Sequence, residues 1–561
     1  MRGKQFHVHA ATNGESVTNQ TGGELLSTQF ISEGVETVFG VPGIQLDYAV
    51  DGLAQHTNEI RFISARHEQG AAYMADGYAR VNGKPGVCLV VPGPGLLNAG
   101  AALSTAYASN SPMVLVSGQI PSPMIGKGVG MLHEIRDQSA ILAKLTKWSA
   151  IATAPEQIPG LVREAFHQAQ SGRPGPVGLE IPPDILQKTT NATPIAPTPL
   201  SVLAPDEAHI SRAAALLAAA ERPVILVGGG VHTPAGSAAL QELAERLGAP
   251  VVKTRNGKGA LTDRHPLAVS RYIGRSVLAE ADVILAIGTR FVTLAGQPVA
   301  KRGSQQLIAL NTDVTDLGAP REFDVAILAD ATLGMQALTS VLPGQKPAPD
   351  LTRHREAERA ALAQIAPQAA WLGAIRDALP DDGILVEELT QVGYAARLAY
   401  PVYQPETYVN PGYQGTLGYG FPTALGVKVG AGDRPVVSIN GDGGFGWSLQ
   451  ELSTAAKYDI GLVTVVFNNG AFGNVQRIQA DTFGRNLGVD LHNPNYRTLS
   501  DAFGVAYEQV ETPEGLRDVI TGAAGATSPL LVEVPFGDVP DPWGLIFEPT
   551  VEATRAAGDN A

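Results

Sequence analysis

The stretch GDGGFGWSLQELSTAAKYDIGLVTVVFNNGAF, residues 441–472, decides how this chain is read. Just before it, RPVVSIN is an apolar β run that ends at the glycine preceding Asp442. SLQELSTAAKY has helical spacing, with Ser448 placed to cap its first turn. GLVTVVF is the next β run and stops at Asn468. Together they predict a βαβ unit whose two strands run parallel and close together. Asp442 and Asn469 then both fall at carboxyl ends of strands, the edge where open α/β sheets bind ligands. Glycines 441, 443 and 444 let backbone amides approach an anion, and the helix start that follows favours negative charge. A carboxylate, an amide oxygen and a loop carbonyl are hard oxygen donors that suit Mg²⁺ or Ca²⁺, with phosphate oxygens and water completing a magnesium shell. The unit reads as a metal–diphosphate clamp. Taken separately, Asp-Gly and Asn-Asn-Gly are ordinary turn sequences; their pairing across one βαβ unit favours the clamp.

Outward from this unit, the chain is too long for one core. Its 561 residues predict two to four domains. With 44% apolar and 17% charged residues it reads as globular rather than disordered. A net charge of −14 and the lack of a long basic run argue against nucleic acid or an anionic membrane surface as main partner. No run approaches the roughly 18 apolar residues of a membrane span. The single cysteine, Cys88, lies in the apolar run GVCLVV and reads as a small core residue. One cysteine cannot form a disulfide within the chain, so a reducing, cytoplasmic location is expected. The N-terminal residues are polar, without the apolar core of a secretory signal, and residues 1–21 read as a flexible tail.

Three α/β blocks follow. Residues 22–191 alternate helical stretches with the buried-strand runs GVCLVV, PMVLVSG and GPVGLEI. After the extended linker TTNATPIAPTPL, a central block spans 206–343 with PVILVGGG, ADVILAIG and QQLIALNTD. A third block, 366–540, carries GILVEE, RPVVSING, GLVTVVFNN and PLLVEV, and a Pro-rich arm occupies 541–561. The expected architecture is three doubly wound parallel-sheet domains, the first and third alike in size and rhythm.

GDG followed by NN resembles the diphosphate motif of thiamine diphosphate (ThDP) enzymes. SARHEQGAAYMADGYAR at 64–80 resembles the same family's glutamate motif, and GVPG at 40–43, GPGLLNA at 93–99 and GTLGYGFPTALG at 415–426 also fit. The resemblance covers nearly the whole chain, in the order pyrimidine-binding, central and diphosphate-binding domain, and is nearest to the acetolactate synthase-like branch. It implies that Glu68 hydrogen-bonds the cofactor's aminopyrimidine and so promotes loss of the thiazolium C2 proton, after which the ring serves as an electron sink. On its own Glu68 reads as a solvated first-turn carboxylate. The resemblance further implies Mg²⁺ held by Asp442, Asn469 and the Ala471 carbonyl, with Gly443, Gly444 and Phe445 at the diphosphate. It places the Gly415 carbonyl at the pyrimidine amino group and Leu417 as the wedge that bends the cofactor, although a leucine there also reads as plain core. Thr390 and Gln391 are further diphosphate candidates. Glu68 and Asp442 are expected to meet across a homodimer interface, with a homotetramer as the larger assembly.

Three departures from the synthase pattern, at His133, Gln45 and Asn474, bear on substrate. No His-His pair occurs, which counts against pyruvate decarboxylase-like chemistry. His133, in MLHEIRDQ, stands where the synthases have a glutamine facing substrate. Gln45, in GVPGIQLD, replaces a glycine-rich turn and is placed to reach a substrate carbonyl. Asn474, in GAFGN, takes the place of a methionine. Trp543, in PDPWGLIF, lies in a segment resembling a lid. In the central block PVILVGGG is a weak dinucleotide-loop signal. Synthases bind FAD in this domain, and replacement of their HGT-containing stretch by VSRYIGRSVLAEADVIL counts against FAD here. Arg271, Arg275 and Arg290 are candidates for an anionic moiety. The expected activity is decarboxylation of a 2-oxo acid with transfer of the acyl unit to a second carbonyl. The alternatives are a ThDP-dependent lyase or decarboxylase on a 2-hydroxy ketone or acyl-CoA, and a non-catalytic regulatory relative.

Overall fold

A computed structural model describes residues 19–291, 303–318 and 322–547. Most of the N-terminal tail and the end of the C-terminal arm therefore lie outside the described residues. Three six-stranded sheets, every strand pair parallel, form the centres of three units. The first sheet runs Arg61–Ser64, Thr37–Gly40, Gly86–Val90, Met113–Gly118, Val177–Ile181, Trp148–Ile151. In the third the order is Tyr408–Val409, Ile384–Glu387, Val436–Gly441, Val463–Asn468, Leu530–Pro535, Ala506–Gln509. Numbered along each unit, both orders are 2-1-3-4-6-5, so the likeness expected from sequence rhythm is a likeness of topology. The central sheet differs: its order, 3-2-1-4-5-6, is that of the dinucleotide-binding doubly wound fold.

The central strands are β-branched and buried along their length, as in VVSIN and VTVVF, because helices cover both faces. Register then sets the site. Gly441 pairs with Phe467, so Asp442 and Asn468 leave neighbouring strands at the same level. Ile384–Glu387 lies on the other side of Val436–Gly441, which brings Thr390 to the same edge. The strand order reverses there, between the first and third strands, and a crevice forms at such a switch point.

The first and third units pack directly on each other within one chain. Helix Glu68–Asn82 lies against helix Gly420–Ala431, and one apolar core joins Tyr73, Met74 and Tyr78 to Tyr419, Phe421 and Phe445. The contact is close because it is built on glycine. A methyl added at Gly77 would overlap the Thr423 carbonyl, and one at Gly426 would overlap that of Met74.

The sequence reading needs two corrections. Gln20 and Thr21, read as loose tail, pair antiparallel with Thr190 and Thr189, and Thr21 closes a capping box with Glu24. The helix expected to start at Ser448 is a 3₁₀ turn at Leu449–Glu451 followed by a short helix at Leu452–Lys457, and a separate single turn at Asp442–Phe445 precedes it. Ser448 caps nothing; its hydroxyl is buried without a partner. Cys88 is fully buried, and burial and the nearby Glu68 carboxylate both raise its thiol pKa. Among the described residues no helix is long and apolar enough to cross a membrane.

Candidate active site

Asp442 is 2% exposed and opens the single turn after its strand. Its Oδ2 accepts from the Gly470 amide at 2.9 Å and from Asn493 Nδ2 at 2.6 Å. Burial is the largest influence on its carboxyl and raises the pKa, against hydrogen bonds from Asn493 and the Gly443 and Gly470 amides. Asn469 Oδ1 lies 3.0 Å from the Ala471 carbonyl oxygen and 3.3 Å from Asp442 Oδ1. Three acceptor oxygens thus face one another with no donor between them. Rotating the amide would place its NH₂ there instead, since amide orientation is an assignment. A cation at that point would favour the orientation with oxygen inward, so this donor set fits a hard divalent ion. Among the described residues no three His, Cys, Asp or Glu side chains form a metal cluster, and this set uses only one carboxylate.

The helix after Asp442 is too short to sum a macrodipole, so individual amides of the turn must supply the positive end. Phe445 points its ring into the core against Phe421 and Tyr496, leaving only its backbone for a ligand. Thr390 stands beside Gly441 and starts helix Gln391–Ala399, and Gln391 Oε1 is buried without a partner. Gly415 has a left-handed backbone, φ +60°, which suits glycine. Leu417 is half-buried.

Glu388, one residue past strand Ile384–Glu387, was not expected. Oε1 accepts from the Gly418 amide at 3.0 Å, and Oε2 is buried without a partner. The carboxyl lies against Gly444 so closely that a methyl there would overlap it. Burial pushes its pKa up to about 7, against hydrogen bonds from the amides of Gly420, Gly418 and Tyr419. One acid thus ties the loop carrying Gly415 and Leu417 to the turn carrying Gly444. Asn493 was also missed; besides Asp442 it reaches Asn468 Oδ1 at 2.9 Å. No spacing rule points to it, because it comes from a loop that only the fold brings back.

On the first unit, Glu68 is the first residue of its helix, half-buried, with Oε2 accepting from Asn98 at 3.0 Å. His67 caps that helix by accepting from the Gln69 amide. The turn at Gly93–Gly95 lies between Glu68 and His133: a methyl at Gly95 would sit 3.6 Å from Glu68 Oε1, and one at Gly93 would overlap the His133 carbonyl. Gln45 is buried, donates to the Leu132 carbonyl at 3.3 Å and leaves Oε1 unpaired; His133 Nδ1 is also buried and unpaired. Glu68, Gln45 and His133 are therefore gathered around one turn, with two orphaned polar atoms among them.

Glu451 joins the two units. It is fully buried, and its carboxylate receives the amides of Arg66 at 3.2 Å and His67 at 3.1 Å, just ahead of Glu68. Burial raises its pKa, against hydrogen bonds from Thr454 and those amides. The sequence stretch QEL held no signal for this role, since the partners lie more than 380 positions away.

The C-terminal arm closes over the third unit. Trp543 Nε1 donates to Asn474 Oδ1 at 2.5 Å, and its ring lies 4.5 Å from that of Tyr394. Arg477 also donates to Asn474 and pairs with Asp541. Asn474 and Trp543, singled out separately in the sequence, are in direct contact. In the central unit Arg290 donates to the Ala108 carbonyl and Arg275 to that of Leu545, while Arg271 lines a cavity described below.

Comparison with known proteins shows the family. Residues 20–141 match the family model of the thiamine pyrophosphate enzyme N-terminal TPP binding domain, 210–338 the central domain and 389–534 the C-terminal TPP binding domain. A probable 2-ketoarginine decarboxylase of Pseudomonas aeruginosa is 37% identical over 502 residues, 85% of this chain and 87% of that protein. The acetolactate synthase of Arthrospira platensis is 32% identical over 86% of this chain and 88% of its own length. Acetolactate synthase isozyme 3 large subunit of Escherichia coli is 31% identical over 84% of this chain and 86% of its own. The chain belongs to the thiamine pyrophosphate enzyme family, in its acetolactate synthase-like branch, and is an enzyme that uses thiamine diphosphate.

Proposed function

We propose that the protein decarboxylates a small 2-oxo acid and transfers the acyl unit to a second carbonyl, using ThDP and Mg²⁺. The observation that carries this reading is the convergence of the Asp442 carboxylate, the Asn469 carboxamide and the Ala471 carbonyl at two adjacent strand ends. When bound, ThDP supplies an electron sink next to the reacting carbonyl carbon. Asp442, Asn469 and Ala471 would hold the magnesium ion, and the amides of Gly443, Gly444 and Phe445, with Thr390 and Gln391, would face the diphosphate. Gly415 and Leu417 would orient the cofactor ring. Glu68 would hold a proton at its carboxylate beside that ring. His133 Nδ1, which lacks a partner, donates to a substrate carbonyl when it carries the proton, and Gln45 Oε1, also unpaired, accepts from a substrate hydroxyl. Trp543 on Asn474 screens the site from water.

The functional unit is a homodimer at least, with a homotetramer as the fuller assembly. This rests on the expectation that Glu68 and Asp442 meet across a subunit interface. The domains are taken as 22–191, 206–343 and 366–540, and the location as cytoplasmic, in keeping with a lone buried cysteine. The glycine loop of the central unit counts against FAD. The glycine-loop amides of Gly228 and Gly230 are already spent on the carbonyls of Ile287 and Gly288.

A second reading, decarboxylation with release of the aldehyde, is favoured by the 37% identity to a protein named as a decarboxylase against 30–32% for the synthases. A panel of pyruvate, longer 2-oxo acids and a guanidino 2-oxo acid, with products weighed by mass spectrometry, separates the two. Coupled hydroxy-keto products support transfer; CO₂ with free aldehyde alone overturns it.

A further inference from the structure

A cavity of about 390 Å³ lies between the central and third units, well within the range of roughly 300–1,000 Å³ found for small-molecule sites. Its floor is the carboxyl ends of strands Val251–Lys253 and Ala268–Val269, the edge at which such sheets take ligands. Helix Thr352–Leu362 covers one side, and the chain from Arg397 to Pro401 closes the other. Seven basic side chains line it against two acidic ones, Asp263 and Glu358.

Several of these charges are neutralised. Lys253 pairs with Asp263, and Arg255 and Arg397 share Glu387 behind the wall. Lys258 is different. It is 8% exposed, its amine faces the Tyr408 ring at 5.4 Å, and it has no hydrogen-bond acceptor among the described residues. Arg359, on the covering helix, likewise has no carboxylate partner among them. The main counter-charge of Lys258, Asp263, is already paired with Lys253, and two buried ammonium groups facing one carboxylate leave an excess of positive charge that is costly to bury. Burial lowers the Lys258 pKa to about 8, with Asp263 opposing and Lys253 adding to the effect.

We infer that this cavity binds a compact anion carrying two or more negative charges, with Lys258 and Arg359 as its principal counter-charges. Arginine forks and an ammonium together suit phosphate or carboxylate oxygens. The cavity lies behind the strand end that carries the cofactor-side residues, since Glu387 directly precedes Glu388.

The test uses full-length protein saturated with ThDP and Mg²⁺, so that the diphosphate turn is already filled. Inorganic pyrophosphate and citrate are titrated separately by calorimetry at matched ionic strength, which separates phosphate from carboxylate ligands. Saturable binding of at least one probe is expected, weakened roughly tenfold or more by Lys258→Met and by Arg359→Ala. Arg359 is exposed on its helix, so its variant tests the inference even where Lys258→Met fails to fold. No saturable binding of either probe, unchanged affinity in the variants, or stoichiometric flavin absorption in the purified protein overturns it.

Discussion

Glu68 and Glu388 show how two carboxyl groups, one on each outer unit, take different properties from their surroundings. Glu68 is half-buried at a helix start, and Asn98 donates to it. Glu68→Gln should keep its far-ultraviolet circular dichroism and lose turnover by about 100- to 10,000-fold, the range for a positioned acid or base. Near-normal turnover would remove the assignment. Glu388 is fully buried with one oxygen unpaired, and its pKa rises from 4.5 to about 7. A raised carboxyl pKa means the fold favours the protonated form. That stability is complete below pH 4.5 and is lost as pH rises through about 7. Glu388→Gln, neutral at every pH, should therefore flatten the fall in melting temperature between pH 5 and pH 8, by about a few degrees at the upper end. An unchanged slope would show that Glu388 does not titrate there.

Elements set what residues can do, and helix Glu68–Asn82 is the clearest case. Its packing on helix Gly420–Ala431 depends on backbone reaching backbone at Gly77 and Gly426. Gly426→Ala should destabilise by about 1–3 kcal/mol or more in chemical denaturation, because a tight contact has no room for an added methyl. Its amino end is held from the third unit by Glu451. Glu451→Ala strands the Arg66 and His67 amides, at about 1–3 kcal/mol, and should displace Glu68. Glu451→Gln keeps an acceptor oxygen and should restore most activity. A purely structural role would lower stability in both variants without moving the pH profile of turnover; a positioning role moves that profile in Glu451→Ala and restores it in Glu451→Gln.

The whole molecule carries one half of a cofactor site on each outer unit, and complementation tests whether two chains complete it. Glu68→Gln and Asp442→Ala, each inactive alone, are mixed after reversible dissociation. A site shared between subunits regains up to about a quarter of wild-type activity, because the mixed dimer of a symmetric pair holds one intact site. Failure to regain activity would place the complete site within one chain.

Much of this was legible in the sequence, because the signals are local. Apolar runs of β-branched residues between helices predicted parallel sheets, and Gly-Asp-Gly and Asn-Asn at the ends of one βαβ unit placed Asp442 and Asn469 together. Adjacent parallel strands in register leave little freedom at their carboxyl ends. Tertiary structure alone decided the rest. The pairing of Asn493 with Asp442, the cap that Glu451 places ahead of Glu68, and the unpaired oxygen of Glu388 join residues with no sequence relation. The basic cavity arises only where two units close on each other. Burial and hydrogen-bond partnership depend on packing between distant segments, and no local pattern of residue types encodes that.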